Sequence, residues 1–208
     1  MPDAALDPSA PWRGRRRPLV MGILNVTPDS FSDGGRWCAP ADAVAHALAM
    51  VADGADCIDI GGESTRPGAD PVDPDEQIRR VVPVIEGIRA AATVPISIDT
   101  TRAAVAAAAL EAGAGIVNDV SAGRDDEALL PLAADRGAGL VLMHMRGSPR
   151  TMQRDPAYED VVAEVTAFLA ARRDAATAAG VAADRIVLDP GFGFGKTASH
   201  NLTLLRRL

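Results

Sequence analysis

Aromatic side chains are scarce: four Phe, two Trp and one Tyr make up 3% of 208 residues. A surface that stacks single-stranded bases on aromatic rings therefore has too few platforms. Basic charge is also short, with 21 Lys and Arg against 28 Asp and Glu, for a net charge of −7. Phosphate-backbone binding needs a basic face, so nucleic acid is excluded as a default partner. No uninterrupted apolar run reaches the roughly 18 residues of a membrane span, and residues 1–11 lack the apolar stretch of a secretory signal. Two cysteines, Cys38 and Cys57, do not make a disulfide framework and fit reduced thiols in a cytosolic protein. The three histidines, His46, His144 and His200, form no cluster with zinc-ligand spacing. A Gly-x-Ser-x-Gly nucleophile elbow is absent too.

What the chain does have is rhythm. After residues 1–18, a polar, Pro-containing stretch with the basic run Arg13-Gly-Arg-Arg-Arg17 that reads as a disordered, solvated tail, short apolar runs recur. They are Leu19–Leu24, Cys57–Ile60, Ile96–Ile98, Ile116–Val117, Leu140–Met143 and Ile186–Leu188. The runs are continuous rather than alternating, as in strands buried on both faces. Between them lie Ala-rich segments with helical spacing: Ala41–Ala52, Pro74–Ala91, Arg102–Ala112, Asp126–Asp135 and Ala157–Ala179, with a sixth opening at Thr197. Gly54-Ala-Asp, Gly113-Ala-Gly, Gly137-Ala-Gly and Gly180-Val-Ala each follow a helical segment, where glycine ends a helix in the left-handed region. Strand then helix, repeated, predicts parallel βα units in one α/β domain. Composition and periodicity admit two forms, an open six-stranded sheet or part of a (β/α)8 barrel, which typically needs about 250 residues.

Polar chemistry gathers where the apolar runs stop. Asn25, Glu63 with Ser64, Asp99, Asn118 with Asp119, His144 and Asp189 each follow a run. In parallel α/β folds, binding sites form at the carboxyl ends of strands, and in a barrel those ends share one face. The segment Gly191-Phe-Gly-Phe-Gly-Lys-Thr197 approaches a phosphate-binding loop, but Pro190 stands where the Walker pattern requires its first glycine. An NTPase is set aside on that ground.

Two long motifs go further. They are Met21-Gly-Ile-Leu-Asn-Val-Thr-Pro-Asp-Ser-Phe-Ser-Asp-Gly-Gly35 and Asp59-Ile-Gly-Gly-Glu-Ser-Thr-Arg-Pro-Gly68. Ser97-Ile-Asp-Thr100, Asn118-Asp-Val120, Leu142-Met-His-Met-Arg-Gly147 with Thr151-Met-Gln153, and Asp189-Pro-Gly-Phe-Gly-Phe-Gly-Lys196 follow in order. By these motifs the chain resembles the dihydropteroate synthase family of pterin-binding TIM barrels, over nearly all of its length beyond the tail. The resemblance implies a (β/α)8 barrel of which about six βα units are present over 19–208. The implied reaction belongs to folate biosynthesis: a dihydropterin methyl diphosphate condenses with 4-aminobenzoate, giving dihydropteroate and diphosphate. The partners implied are those two small molecules. Sulfonamide sensitivity, a cytoplasmic location and a homodimer at full length are implied with them.

Site residues carry over position by position. The resemblance assigns Asp99, Asn118 and Asp189 to the pterin, Thr65 to substrate binding, and Asn25 to Mg²⁺. A pterin edge mixes N–H donors with acceptors, and two acceptor-only carboxylates beside one amide suit such an edge. A lone Asn oxygen suits Mg²⁺ only alongside phosphate oxygens and water. Arg66 supplies a charge-assisted contact, while Asp33 and Asp99 set negative charge near a cation developing at the pterin methylene. Phe31, Pro67 and Phe194 are implied around the aminobenzoate ring. The family's Lys from the seventh strand region and its Arg-x-His motif near the eighth have no counterpart in these residues. The expectation is an N-terminal part of an enzyme, inactive alone. Competing readings are a methyltetrahydrofolate-dependent methyltransferase domain and a non-catalytic pterin-binding paralogue.

Overall fold

Each apolar run becomes one strand of a single parallel sheet, in the order of the chain. The computed structural model describes residues 7–15, 17–27, 40–64, 71–147, 151–153 and 155–207. The strands are β1 (Met21–Asn25), β2 (Cys57–Gly61), β3 (Ile96–Asp99), β4 (Ile116–Asp119), β5 (Gly139–Met143) and β6 (Ile186–Asp189). The helices are α1 (Pro40–Ala52), α2 (Pro74–Ala91), α3 (Ala103–Ala112), α4 (Leu129–Asp135), α5 (Val161–Ala178) and α6 (Ala198–Leu205). Strand order runs β1-β2-β3-β4-β5-β6 without a reversal. A doubly wound sheet reverses direction at a switch point. This one does not, so every crossover leaves its helix on the same face, and the winding is that of a (β/α)8 barrel with six units described.

Local chemistry sets the helix ends. Asp73 caps α2 by accepting from the Asp75 N–H at 2.9 Å, with Pro74 in the first turn. Asp160 accepts from the N–H groups of Val162 and Ala163 at 2.9 and 3.1 Å. That cap starts α5 at Val161, four residues beyond the expected start at Ala157. Likewise α4 starts at Leu129 rather than Asp126, because Asp126 accepts from the N–H groups of Ala103 and Ala128 and so closes the neighbouring turns instead. Thr197 and His200 cap α6 reciprocally, each side chain bonding the other's backbone N–H.

The strands have two faces of different chemistry. Leu24, Ile58, Ile60, Ile96, Ile98, Val117, Leu140 and Leu142 join the core between sheet and helices with Ala43, Ala47, Val81, Val84, Ile85 and Ile88. On the opposite face, the floor of the barrel is a second cluster of Cys57, Ile116 and Val141, packed with Met21, Val187 and Trp12. Alternation then carries Asp59, Ser97, Asp99 and Asn118 onto this inner face. The continuous apolar reading of β2 and β3 is thus corrected. Both alternate, with polar residues directed inward. Cys57, on the floor, is a free thiol that burial pushes up to about 12; Cys38 lies outside the described residues.

Part of the expected tail is also packed. Ala10 and Pro11 are buried, and the Trp12 indole N–H donates to the Asp184 carbonyl at 3.0 Å. Arg13 and Arg185 reach Asp184 and Asp7 at 2.7 and 3.4 Å. The repeated Gly-Ala-Gly explains how the segment fits. Its first glycine, Gly113 or Gly137, takes positive φ at a helix end. Its second clears room: a Cβ on Gly139 would stand 2.0 Å from the Ser9 carbonyl oxygen, and one on Gly115 2.6 Å from that of Pro8. Gly139→Ala is expected to dislodge residues 9–12 and lower stability by about 1–3 kcal/mol. Urea unfolding, with trypsin cleavage after Arg13 as a second readout, measures both; unchanged stability and cleavage would refute the packing role.

Candidate active site

Register brings the strand-end residues to one rim. Asn25 pairs with Gly61, Gly61 with Asp99, Asp99 with Asn118, and, across the sheet, Met143 with Asp189. Three site residues expected from sequence, Asn25, Asp99 and Asn118, therefore end adjacent or near-adjacent strands at one level, and Asp189 ends β6 two residues further along, since Asn118 is level with Val141 and Val187. Gly61 keeps the middle of that rim open. A Cβ there would lie 3.4 Å from Asn25 Oδ1 and 3.6 Å from Asp99 Cβ. The expected residues Phe31, Asp33, Thr65, Arg66 and Pro67 lie outside the described residues.

Beneath the rim the interior is acidic. Asp59 is 2% exposed in the middle of β2, and its Oδ2 accepts from Asn118 Nδ2 at 2.9 Å. Among the described residues, three buried side-chain oxygens have no hydrogen-bond partner: Asp59 Oδ1, Ser97 Oγ and Asp99 Oδ1. All three sit on the inner faces of β2 and β3. Burial pushes Asp99 well above the usual carboxylate range, and the neighbouring Asp59, Asp119 and Glu63 push it further. Burial raises Asp59 and Glu63 as well. Glu63 accepts from Gln77 Nε2 at 2.7 Å, and Gln77 also donates to the Val72 carbonyl at 3.0 Å, fastening the β2–α2 connection. An orphaned buried acceptor is costly unless a ligand donor reaches it. Charge and orphaned oxygens together favour a ligand that brings N–H groups.

Other strand-end residues have structural work. Asp119 accepts from the N–H groups of Ser121 and Gly123, shaping the turn after β4. Asp189 Oδ1 accepts from the Gly191 N–H at 2.7 Å, which aims the carboxylate while leaving its second oxygen available. Phe194 is half-buried against Val120, Met143, Met145 and Met152. Phe192, by contrast, is 41% exposed.

Sequence reading passed over the residue that joins the last two loops. Lys196 is 3% exposed, and its Nζ contacts His144 Nδ1 at 2.9 Å and the carbonyls of His144, Gly191 and Phe194 at 3.2, 3.0 and 3.0 Å. An ammonium only donates, so His144 Nδ1 accepts and the proton of the neutral ring resides on Nε2. Lys196 thus clasps the β5–α5 and β6–α6 connections. It closed the family motif Asp189–Lys196 and a glycine-rich stretch resembling a phosphate loop, yet drew no role. Asp59 lay within a quoted motif but drew no role, because a mid-strand Asp announces nothing until its face is known.

Comparison with known proteins agrees with this geometry. The family model for pterin binding enzymes matches residues 21–208. The dihydropteroate synthase of Mycobacterium leprae is 56% identical over 190 residues, covering 91% of this chain and 66% of that protein. The Escherichia coli dihydropteroate synthase is 50% identical over 191 residues, covering 92% and 67%. Among solved structures, Xanthomonas albilineans dihydropteroate synthase with 4-aminobenzoic acid superposes with a TM-score of 0.85 at 51% identity, covering 92% of this chain and 67% of that one. The same enzyme in complex with 7,8-dihydropteroate gives 0.81 at 48%, with equal coverage. The chain spans about two thirds of the length of these relatives.

The clasp has a measurable signature. Burial first, then the Lys196 ammonium, push His144 down to about 4 from 6.5, while burial lowers Lys196 to about 8. Between those two values for His144 the unfolded chain holds more protons than the folded one. Its contribution to stability is therefore complete above pH 6.5 and lost as pH falls through 4. In heteronuclear NMR the His144 ring is expected to stay neutral at about pH 5.5, where an ordinary histidine is protonated. A midpoint near 6.5 would show that the clasp does not form.

Proposed function

Because the chain belongs to the pterin binding enzyme family, we propose that it carries out the dihydropteroate synthase reaction, joining a 6-hydroxymethyl-7,8-dihydropterin diphosphate to 4-aminobenzoate with loss of diphosphate. The observation that carries this reading is the rim of Asp99, Asn118 and Asp189 above an Asp99 oxygen that no described residue satisfies. A pterin brings N–H groups from its amino substituent and ring nitrogens, and these are the donors the rim lacks.

The chemistry follows from charge. The C–O bond between methylene and diphosphate breaks with its electron pair leaving on oxygen, and the resulting cation spreads into the ring. Asp99, fixed at the end of β3, opposes that charge electrostatically, and Asp33 is assigned the same task from the loop after β1. The aminobenzoate nitrogen then forms the new C–N bond and releases a proton to solvent. Phe194, with Phe31 and Pro67, supplies an apolar wall for its ring, and Thr65 and Arg66 act on the substrates from the loop after β2.

Magnesium fits this site only as a partner of the substrate. Among the described residues no three His, Cys, Asp or Glu side chains are grouped to hold a metal, whereas Asn25 offers one neutral oxygen beside the uncovered Gly61. Mg²⁺ tolerates few protein ligands when phosphate oxygens and water complete its shell. Bound there, it would neutralise charge on the departing diphosphate, and Asn25 would hold it. No described helix is long and apolar enough to cross a membrane; a cytoplasmic location is part of the proposal.

Asp99→Ala and Asp189→Ala are each expected to weaken binding of 6-hydroxymethylpterin by about 10- to 100-fold, the loss of a hydrogen bond to a charged group. Calorimetry measures this, and Asp99→Ala should leave thermal stability undiminished because its Oδ1 has no protein partner. Wild-type affinity in both variants would sink the site. For the metal, Mg²⁺ should tighten binding of the pterin diphosphate but not of the pterin alone, and Asn25→Ala should remove most of that gain. An undiminished gain in Asn25→Ala would reject the assignment.

A further inference from the structure

The Asp59 carboxylate lies one layer below the rim, yet it bonds a rim residue. Asp59 is level with Ser97, while Asn118 is level with Asp99. The 2.9 Å bond from Asn118 Nδ2 to Asp59 Oδ2 therefore runs downward and across the interior, from β4 to β2, past the intervening β3. A primary amide has a donating end and an accepting end, and rotation of half a turn about its last bond exchanges them. Asp59 removes that freedom. An ionised carboxylate accepts only, and a protonated one with its hydrogen on Oδ1 still accepts at Oδ2. With no hydrogen on Oδ2, as the bond places it, the NH₂ of Asn118 must face Asp59. Its Oδ1, which accepts from no described residue, is left toward the rim.

We propose that Asp59 is a positioning residue: by holding the amide of Asn118 it makes the rim a set of three acceptors and so selects heterocycles carrying an exocyclic amino group over analogues carrying an oxo group there. This deepens the proposed pterin site and rests on it. The mixed-edge match expected from sequence is narrowed, since Asn118 would present its oxygen. A 2-amino-4-oxo ring brings donors to that oxygen. A 2,4-dioxo ring would set a carbonyl oxygen against Asn118 Oδ1, leaving an acceptor facing an acceptor. Sites built to bond a particular polar group reject the analogue without it far more strongly than apolar pockets reject a lost methylene. Asp59 and Asn118 face each other across the inner face, and the Ser97 hydroxyl beside Asp59 favours its ionised, acceptor-only form together with Asn118.

The test uses the 208-residue chain and two ligands, 6-hydroxymethylpterin and its 2,4-dioxo counterpart, with dissociation constants from calorimetry. The wild-type chain is expected to favour the amino compound by at least about 100-fold. In Asp59→Leu the freed amide can turn, and the ratio should fall by about tenfold or more. Asp59→Asn, an amide that can itself present either end, frees Asn118 in the same way and should also lower the ratio. In the ligand-free wild type, one Asn118 side-chain N–H should exchange slowly with solvent by NMR, a measurement that needs no variant to fold. An unchanged ratio in folded Asp59→Leu and Asp59→Asn, or a fast-exchanging Asn118 amide, would each overturn the assignment. A wild-type chain that binds neither compound would refute the pterin reading and this inference with it. Wild-type binding without discrimination would refute the inference alone.

Discussion

A carboxylate oxygen shut away from water without a donor is the constraint around which the barrel interior is organised. Folding should expel such an arrangement, since desolvating an acceptor and leaving it unmatched typically costs about 1–3 kcal/mol, more if it is charged. Here Asp59 Oδ1, Ser97 Oγ and Asp99 Oδ1 are all retained on adjacent strands. Retention is sustainable because the other face of the same strands is saturated with aliphatic packing. Ile58, Ile60, Ile96 and Ile98 are fully buried or nearly so against the helices. One face of β2 and β3 stabilises the fold, and the other face spends part of that stability on recognition.

Division of labour by face also determines what was legible beforehand. The parallel α/β character followed from apolar runs separated by helical segments, and the ends of those runs already named Asn25, Asp99, Asn118 and Asp189. Strand order and the shared rim came from the resemblance to a barrel family and not from the runs themselves, because register arises from pairing between distant segments. Mid-strand Asp59 was hidden for the same reason. Within Cys-Ile-Asp-Ile-Gly the aspartate looks like an interruption of an apolar run, and only the alternation of faces shows that it points into the barrel. Errors at helix starts had a different origin: Asp126 and Asp160 were read for helical spacing, whereas their side chains bond backbone N–H groups and set where a helix can begin.

Glycine illustrates how one residue type carries unrelated meanings. Gly113 and Gly137 end helices with positive φ, as their place after an Ala-rich segment predicts. Gly115 and Gly139, two residues later, admit the backbone of residues 8 and 9 beneath the barrel. That second use leaves no local trace, since it depends on a segment more than a hundred residues away. The packed N-terminal residues close the floor with Trp12, which shields Cys57, Ile116 and Val141 from below. The polar layer above is thereby isolated from solvent on its lower side, a condition for the strong electrostatics at the rim.

The glycine-rich stretch after β6 shows the same principle at the site itself. Gly191 and Gly195 have φ of +66° and +64°, and a Cβ at either would collide with backbone of the β5 connection, at 2.1 Å from the His144 oxygen and 2.8 Å from that of Arg146. The glycines are therefore present so that two loops can touch, and Lys196 fills the junction with an ammonium that three carbonyls and a neutral imidazole receive. Burial lowers the proton affinity of this ammonium, and the nearby Asp189 carboxylate opposes that shift. Such a junction is directional, because each carbonyl must point at one nitrogen. It is this fixed geometry that carries Asp189 on one side and Phe194 on the other. Asp189 and Phe194, the two sides of the proposed site, thus depend on a single buried cation and are mechanically joined.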